Sequence, residues 1–167
     1  MQDKLNRSEF ISRYGSVYEH SPWVAEKVFD LNPDLSAIDR GALIDRFEHV
    51  FLTSADSRKL EVLRAHPELA CKRADAKQLT DASRREQSGA GLDQCNATEL
   101  AMFAELNSAY RSKFDFPFII AVRGRGRVEI LECMKSRLEN DRESEFATAL
   151  KQVCQIAGFR ITDIACD

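Results

Sequence analysis

Apolar residues recur at three- and four-residue spacing along most of the chain, the period of helices with one buried face. Asn6 or Ser8 can cap a first helix that ends near Tyr14-Gly15. Ser21-Pro22 reads as an N-cap with proline at the first helical position, opening a helix through Trp23, Val24 and Phe29 that Asn32-Pro33 breaks. Leu43, Phe47, Val50 and Phe51 predict a third helix ending near Thr53, and Ser54 is placed as the cap of a fourth carrying Leu60 and Leu63. That helix must stop at His66, because Pro67 disfavours the helical conformation in the residue before it. Thr80 caps the next helix, which runs to about Ala90, with Gly91 just beyond its end. Asn96 to Glu99 forms a capping box ahead of Leu100, Phe103, Leu106, Tyr110 and Phe114. The run from Phe116 to Val122 contains Pro117 and is dense in apolar residues, which predicts a buried extended segment and not a helix. A second capping box, Asn140 to Glu143, opens a last helix on Phe146, Leu150, Val153, Ala157, Ile161 and Ile164. The expected fold is all-α: residues 1–167 form a single-domain multi-helix bundle with a buried extended break near residues 115–127.

Composition narrows the function classes. The 167 residues are 44% hydrophobic, enough for one sizeable core, and a net charge of −3 argues against intrinsic disorder. The same charge argues against nucleic-acid binding by bulk electrostatics. The longest unbroken apolar run, Phe118 to Val122, is far short of a membrane span, and Met1 to Arg7 lacks the apolar stretch of a secretory signal. No nucleic acid and no membrane are therefore expected as partners. Cysteines 71, 95, 133, 154 and 166 are odd in number and contain no CxxC pair, so they read as reduced thiols and not as a disulfide framework or a cysteine-rich zinc site.

Three places can carry chemistry. His66 sits at a helix end against Pro67, and an imidazole there can pass protons near neutral pH or simply face solvent, favoured by the helix dipole. His20 and His49 have less to recommend them. Ser83, Glu86 and Gln87 share one helical face, which can bind a polar heterocycle and orient an imidazole; the neighbouring Arg84 and Arg85 suit a solvated face equally well. Arg160 falls at the edge of the last apolar stripe, where it needs an anionic partner, from substrate or from a structural glutamate, or a route to solvent. Arg123-Gly-Arg-Gly-Arg127 has no βα unit around it and is read as a solvated loop. His66 and Glu68 show no metal-ligand spacing, and no nucleophile elbow is present. The inventory of His, Glu, Arg and amide groups suits proton transfer on a small polar molecule.

Four segments taken together resemble one family. Glu19-His-Ser-Pro-Trp-Val-Ala25, Ala65-His-Pro-Glu-Leu-Ala70, Leu79-Thr-Asp-Ala-Ser-Arg-Arg-Glu-Gln-Ser-Gly-Ala-Gly-Leu92 and Phe114-Asp-Phe-Pro-Phe-Ile-Ile-Ala-Val-Arg-Gly124 look like the OHCU decarboxylases of urate catabolism, which act on 2-oxo-4-hydroxy-4-carboxy-5-ureidoimidazoline. The resemblance runs from Phe10 to Ile164. It implies an all-α, usually dimeric enzyme without cofactor; no metal is expected because no residues have ligand spacing, and a cytoplasmic location is expected from the lack of a peroxisomal tripeptide. It matches the proton-transfer histidine to His66 and the active-site glutamate to Glu86. The substrate-binding positions it matches are Pro67, Ser83, Arg84, Arg85, Glu86, Gln87, Phe118, Ile119, Ile120, Ala121, Val122 and, in the last helix, Arg160. Cys71 departs from the glycine many members carry after the His-Pro motif, and the chain ends Ala165-Cys166-Asp167, without a peroxisomal tripeptide. No transthyretin-like hydrolase is fused to it, so the preceding step is expected from another protein.

The implied reaction forms (S)-allantoin by loss of CO2. The substrate carries carboxylate and hydroxyl on one ring carbon, next to a ring imine that can take up the electron pair. His66 would transfer a proton, held by Glu86, while Ser83, Gln87 and backbone groups of 118–122 hold the ring and ureido group. Two alternatives stand beside this reading: a hydrolase of a related cyclic ureide using the same pair, and a helical binding module without catalysis.

Overall fold

The computed structural model describes residues 5–32, 35, 38–70 and 79–164, and every regular element among them is helical. Eight α-helices follow in order: α1 (Arg7–Tyr14), α2 (Trp23–Leu31), α3 (Arg40–Leu52), α4 (Asp56–Ala65), α5 (Asp81–Gly89), α6 (Ala97–Phe114), α7 (Arg127–Leu138) and α8 (Arg142–Ile164). Leu92–Gln94 adds one turn of 3-10 helix after α5. The chain divides into two compact units, residues 1–65 with 153–167, and residues 66–152. Cys71 and Cys166 lie outside the described residues.

In the first unit α2 packs against both α1 and α3. An aromatic stack fills the space between them. Phe10 lies 4.8 Å from Tyr14 and 6.1 Å from Phe47, centroid to centroid, and Tyr18 lies 4.9 Å from Phe51. All of these rings are buried. Asn6 caps α1 through a complete capping box with Glu9. Two expected caps differ. The Ser21 hydroxyl donates to the Glu19 carbonyl, and Pro22 already has helical dihedrals. The Ser54 hydroxyl donates back to the Phe51 carbonyl, and α4 starts two residues later. A hydroxyl that donates back to the chain before it does not cap the helix that follows.

In the second unit α6 packs on α7. Thr80 caps α5, Gly91 takes the left-handed conformation at φ +74°, and Asn96 caps α6 through the second full capping box. Residues 116–122 form neither helix nor strand and are buried, as their apolar density requires. Tyr110 meets Phe118 edge-on at 5.4 Å, and Phe114 stacks on Phe116. Helix α7 follows this segment and has no counterpart in the elements read from the sequence.

The cap of α8 is one residue later than its sequence suggests. Asp141, not Asn140, accepts from the Ser144 amide at 2.8 Å, and Asn140 turns inward to Glu145. The Ser144 amide and hydroxyl hold the Asp141 carboxyl below its usual pKa. A depressed carboxyl contributes stability in full above its unfolded pKa and loses it as pH falls through the lower folded value. Asp141→Asn is therefore expected to flatten the acid limb of the melting-temperature profile below about pH 4, with a small loss at neutral pH. A profile parallel to that of the parent protein would remove Asp141 from acid stability.

Candidate active site

His66 is the first residue of the second unit and is 7% exposed, so the solvent-facing alternative for this ring does not hold. By contrast His20 and His49, in the first unit, are both exposed. Pro67 fixes one backbone torsion directly after the histidine. The chain then turns, and Ala70 adopts φ +52°, a left-handed conformation that costs a residue with a Cβ. Side chains of two helices hold this turn. The Ala70 amide donates to Gln87 Oε1 at 3.1 Å, Gln87 Nε2 donates to the Glu68 carbonyl at 3.2 Å, and Asn107 Nδ2 donates to the Leu69 carbonyl at 2.9 Å.

Helix α5 presents its two faces as the spacing of its residues dictates. Ser83 and Gln87 are buried and Glu86 is half-buried. Arg84 and Arg85 lie on the exposed face, where Arg84 pairs with Asp81 at 3.6 Å and donates to the Leu79 carbonyl. The structure thus separates the five consecutive positions 83–87 into an inward set and an outward pair of arginines.

The segment Phe118, Ile119, Ile120, Ala121 and Val122 is held from several sides. Arg137 Nη1 donates to the Ile119 carbonyl at 2.7 Å, and the guanidinium lies 4.4 Å above the Phe118 ring. Glu145 is fully buried and accepts from Arg137 Nε at 2.7 Å, from Asn140 Nδ2 at 2.9 Å and from the Tyr110 hydroxyl. Burial first, then the bond to Glu145, pushes the Tyr110 hydroxyl far above its usual pKa, so it stays a donor. The Ala121 amide donates to Gln152 Oε1 at 2.9 Å, and Arg125 Nε donates to the Ala121 carbonyl at 3.2 Å. The positions 118–122 are therefore fixed by polar side chains that sequence reasoning passed over. A signal was present: Arg137 continues the Ile130 and Met134 stripe of α7, and Glu145 lies four residues before Ala149 on α8.

Arg160 belongs to the first unit, where its Nη1 meets Glu19 Oε2 at 2.9 Å and the Val17 carbonyl at 3.3 Å. Both side chains are buried, so the anionic partner in this structure is a glutamate of the chain itself, within the Glu19–Ala25 motif. Near the same core, burial and then the charge of Glu48 raise the Cys154 thiol to about 12. A thiol so rarely ionised at pH 8 is a poor nucleophile. Cys154 is expected to stay unmodified in native protein treated with iodoacetamide and to react once the protein is unfolded, as read by peptide mass spectrometry. Rapid native alkylation would contradict its burial.

A family model described as OHCU decarboxylase matches residues 3–162. The chain belongs to the OHCU decarboxylase family. A relative from Halalkalicoccus jeotgali named 2-oxo-4-hydroxy-4-carboxy-5-ureidoimidazoline decarboxylase is 36% identical, over 97% of this chain and 88% of its own. The uric acid degradation bifunctional protein PucL of Bacillus subtilis is 37% identical over 97% of this chain but only 32% of its own, so this family member corresponds to part of that protein. A crystal structure of (S)-allantoin synthase superposes with a TM-score of 0.75 at 33% identity, covering 96% of this chain and 51% of that one.

Proposed function

We propose that this OHCU decarboxylase family member converts 2-oxo-4-hydroxy-4-carboxy-5-ureidoimidazoline to (S)-allantoin in urate degradation, with His66 as its proton-transfer residue. The observation that carries the reading is the buried His66, on a proline-fixed, amide-held turn, in a chain of this family. In the proposed reaction the bond from the ring carbon to the carboxylate breaks and CO2 leaves. The electron pair forms a double bond to the adjacent ring carbon, the imine nitrogen takes up a proton, and an enol-like intermediate results. The hydroxyl proton is then lost as the carbonyl forms, and the adjacent carbon takes a proton on one face. Because the ring itself receives the electrons, no metal or prosthetic group is needed in this scheme.

The roles are assigned as follows. His66 moves the proton, and Glu86 fixes its tautomer and stabilises the imidazolium. Ser83, Gln87 and the backbone of 118–122 bind the ring and ureido group. The Ile119 carbonyl and the Ala121 amide already have partners in Arg137 and Gln152, so the remaining groups of that segment are the stronger choice for substrate. The whole chain is taken as one functional domain, acting as a homodimer in the cytoplasm. Sedimentation velocity tests the dimer: a single monomeric species at micromolar concentration would exclude it.

The direct test generates the substrate in place, with urate oxidase and hydroxyisourate hydrolase, and then adds this protein. Faster CO2 release and allantoin of one hand are expected. An intact fold with no effect on the decay would leave the binding-module alternative, and ring opening without CO2 would leave the hydrolase.

A further inference from the structure

We propose that Asn107, a residue with no role in the scheme above, is the positioning residue of His66; the proposal rests on the decarboxylase reading of that histidine. Asn107 lies on α6, is 5% exposed, and spends its amide on one backbone group, the Leu69 carbonyl. With Gln87 it completes a clamp on consecutive residues. The Glu68 carbonyl and the Ala70 amide are held by the Gln87 side chain from α5, and the Leu69 carbonyl between them by Asn107 from α6. On the outer side Arg111, one turn further along α6, pairs with Glu68 at 2.9 Å. Ala70 keeps its left-handed conformation within this clamp. A strained backbone of this kind persists only when its surroundings over-determine it, and such strain clusters at functional sites.

The clamp reaches the histidine through the chain. From Leu69 back to His66 lie only Glu68 and Pro67, and the proline ring locks one of the torsions between them. Holding the Leu69 carbonyl, with the Glu68 carbonyl held by Gln87, therefore narrows the directions in which His66 can leave the turn. Stability alone does not account for the amide at 107. Its Oδ1 is buried without a hydrogen-bond partner among the described residues, an arrangement that weakens a fold. A leucine, with the same branched outline, would remove that unpaired atom but leave the Leu69 carbonyl without its donor. An asparagine here makes sense when the placement of the 68–70 backbone matters more than the stability it gives up.

The test uses Asn107→Leu in the full chain. The three histidines of the protein give three imidazole signals in long-range ¹H–¹⁵N spectra, and His66→Asn assigns one of them. Asn107→Leu is expected to shift or split the His66 signal while those of His20 and His49 stay in place. In the decarboxylation assay it should lower kcat by up to about 10²-fold, the scale of a misplaced reacting group, with KM little changed and allantoin less pure in hand. A folded Asn107→Leu with the parent His66 signal and the parent kcat would overturn the proposal. Should Asn107→Leu not fold, Asn107→Ser, too short to reach Leu69, is put through the same two measurements: a displaced His66 signal with lowered kcat supports the proposal, and parent values of both overturn it. If the parent protein does not decarboxylate, the decarboxylase reading fails by itself, and the imidazole spectra still decide whether Asn107 positions His66.

Discussion

His66→Asn is expected to lose about 10²- to 10⁴-fold in turnover, the range a positioned acid–base group contributes, with its helical circular dichroism unchanged. Asparagine keeps a polar side chain of similar bulk but cannot move a proton near neutral pH. Glu86→Gln keeps the shape of the glutamate and removes the charge that stabilises an imidazolium, so a comparable fall is expected. The two residues act as one unit, and the double variant should be little worse than the poorer single one. Product handedness is the second readout. Uncatalysed decay protonates either face of the carbon, so the residual allantoin from either variant should drift toward the racemate on chiral chromatography. Near-normal turnover of His66→Asn, with allantoin still of one hand, would take His66 out of the mechanism.

The backbone explains why four short segments were so legible in the sequence. Among the described residues, five have a left-handed backbone: His20, Ala70, Gly91, Asp115 and Gly124. Each lies inside one of the four segments that resemble the OHCU decarboxylases: His20 in 19–25, Ala70 in 65–70, Gly91 in 79–92, and Asp115 and Gly124 in 114–124. These are the places where the chain leaves helical periodicity, and only particular residues tolerate the departure. The long helices between them follow from apolar spacing alone and could belong to many all-α proteins.

What the sequence concealed was polar and buried. Hydrophobic periodicity marks a charged residue as outward by default, so Arg137 does not announce its burial although it falls on the Ile130 and Met134 stripe of α7. With Val128 exposed at 68% as well, the helix Arg127–Leu138 lost the regular stripe that would have announced it. The cap of α8 slipped for a related reason. Asn140 and Asp141 both satisfy the composition of an N-cap, and the choice is made by Glu145, which draws the Asn140 amide inward and leaves the capping bond to Asp141. A tertiary bond thus decided a local boundary. Gln87 shows the same limit within the candidate site: its face was readable from α5, but its two bonds to the 68–70 turn required the fold.

Arg137→Met is expected to be among the most destabilising single changes in the second unit. It leaves Glu145 fully buried with Tyr110 and Asn140 as donors but without its cation, and breaking a buried pair in this way typically costs about 3–5 kcal/mol. Guanidinium chloride titration should show a lower midpoint with an unchanged slope. Combining it with Glu145→Leu removes both charges, so part of the lost stability should return, the rest being withheld by the Tyr110 hydroxyl and the Ile119 carbonyl left without their partners. Turnover should not return with it. The Ile119 carbonyl still lacks its donor and the Phe118 ring its cation, so the 118–122 segment is no longer held where the substrate is proposed to bind. The contrast between partly recovered midpoint and unrecovered kcat/KM separates a network that merely stabilises the unit from one that also shapes the site. Full recovery of both would show that apolar packing alone sets the path of residues 118–122, and the polar network would then have no part in substrate binding.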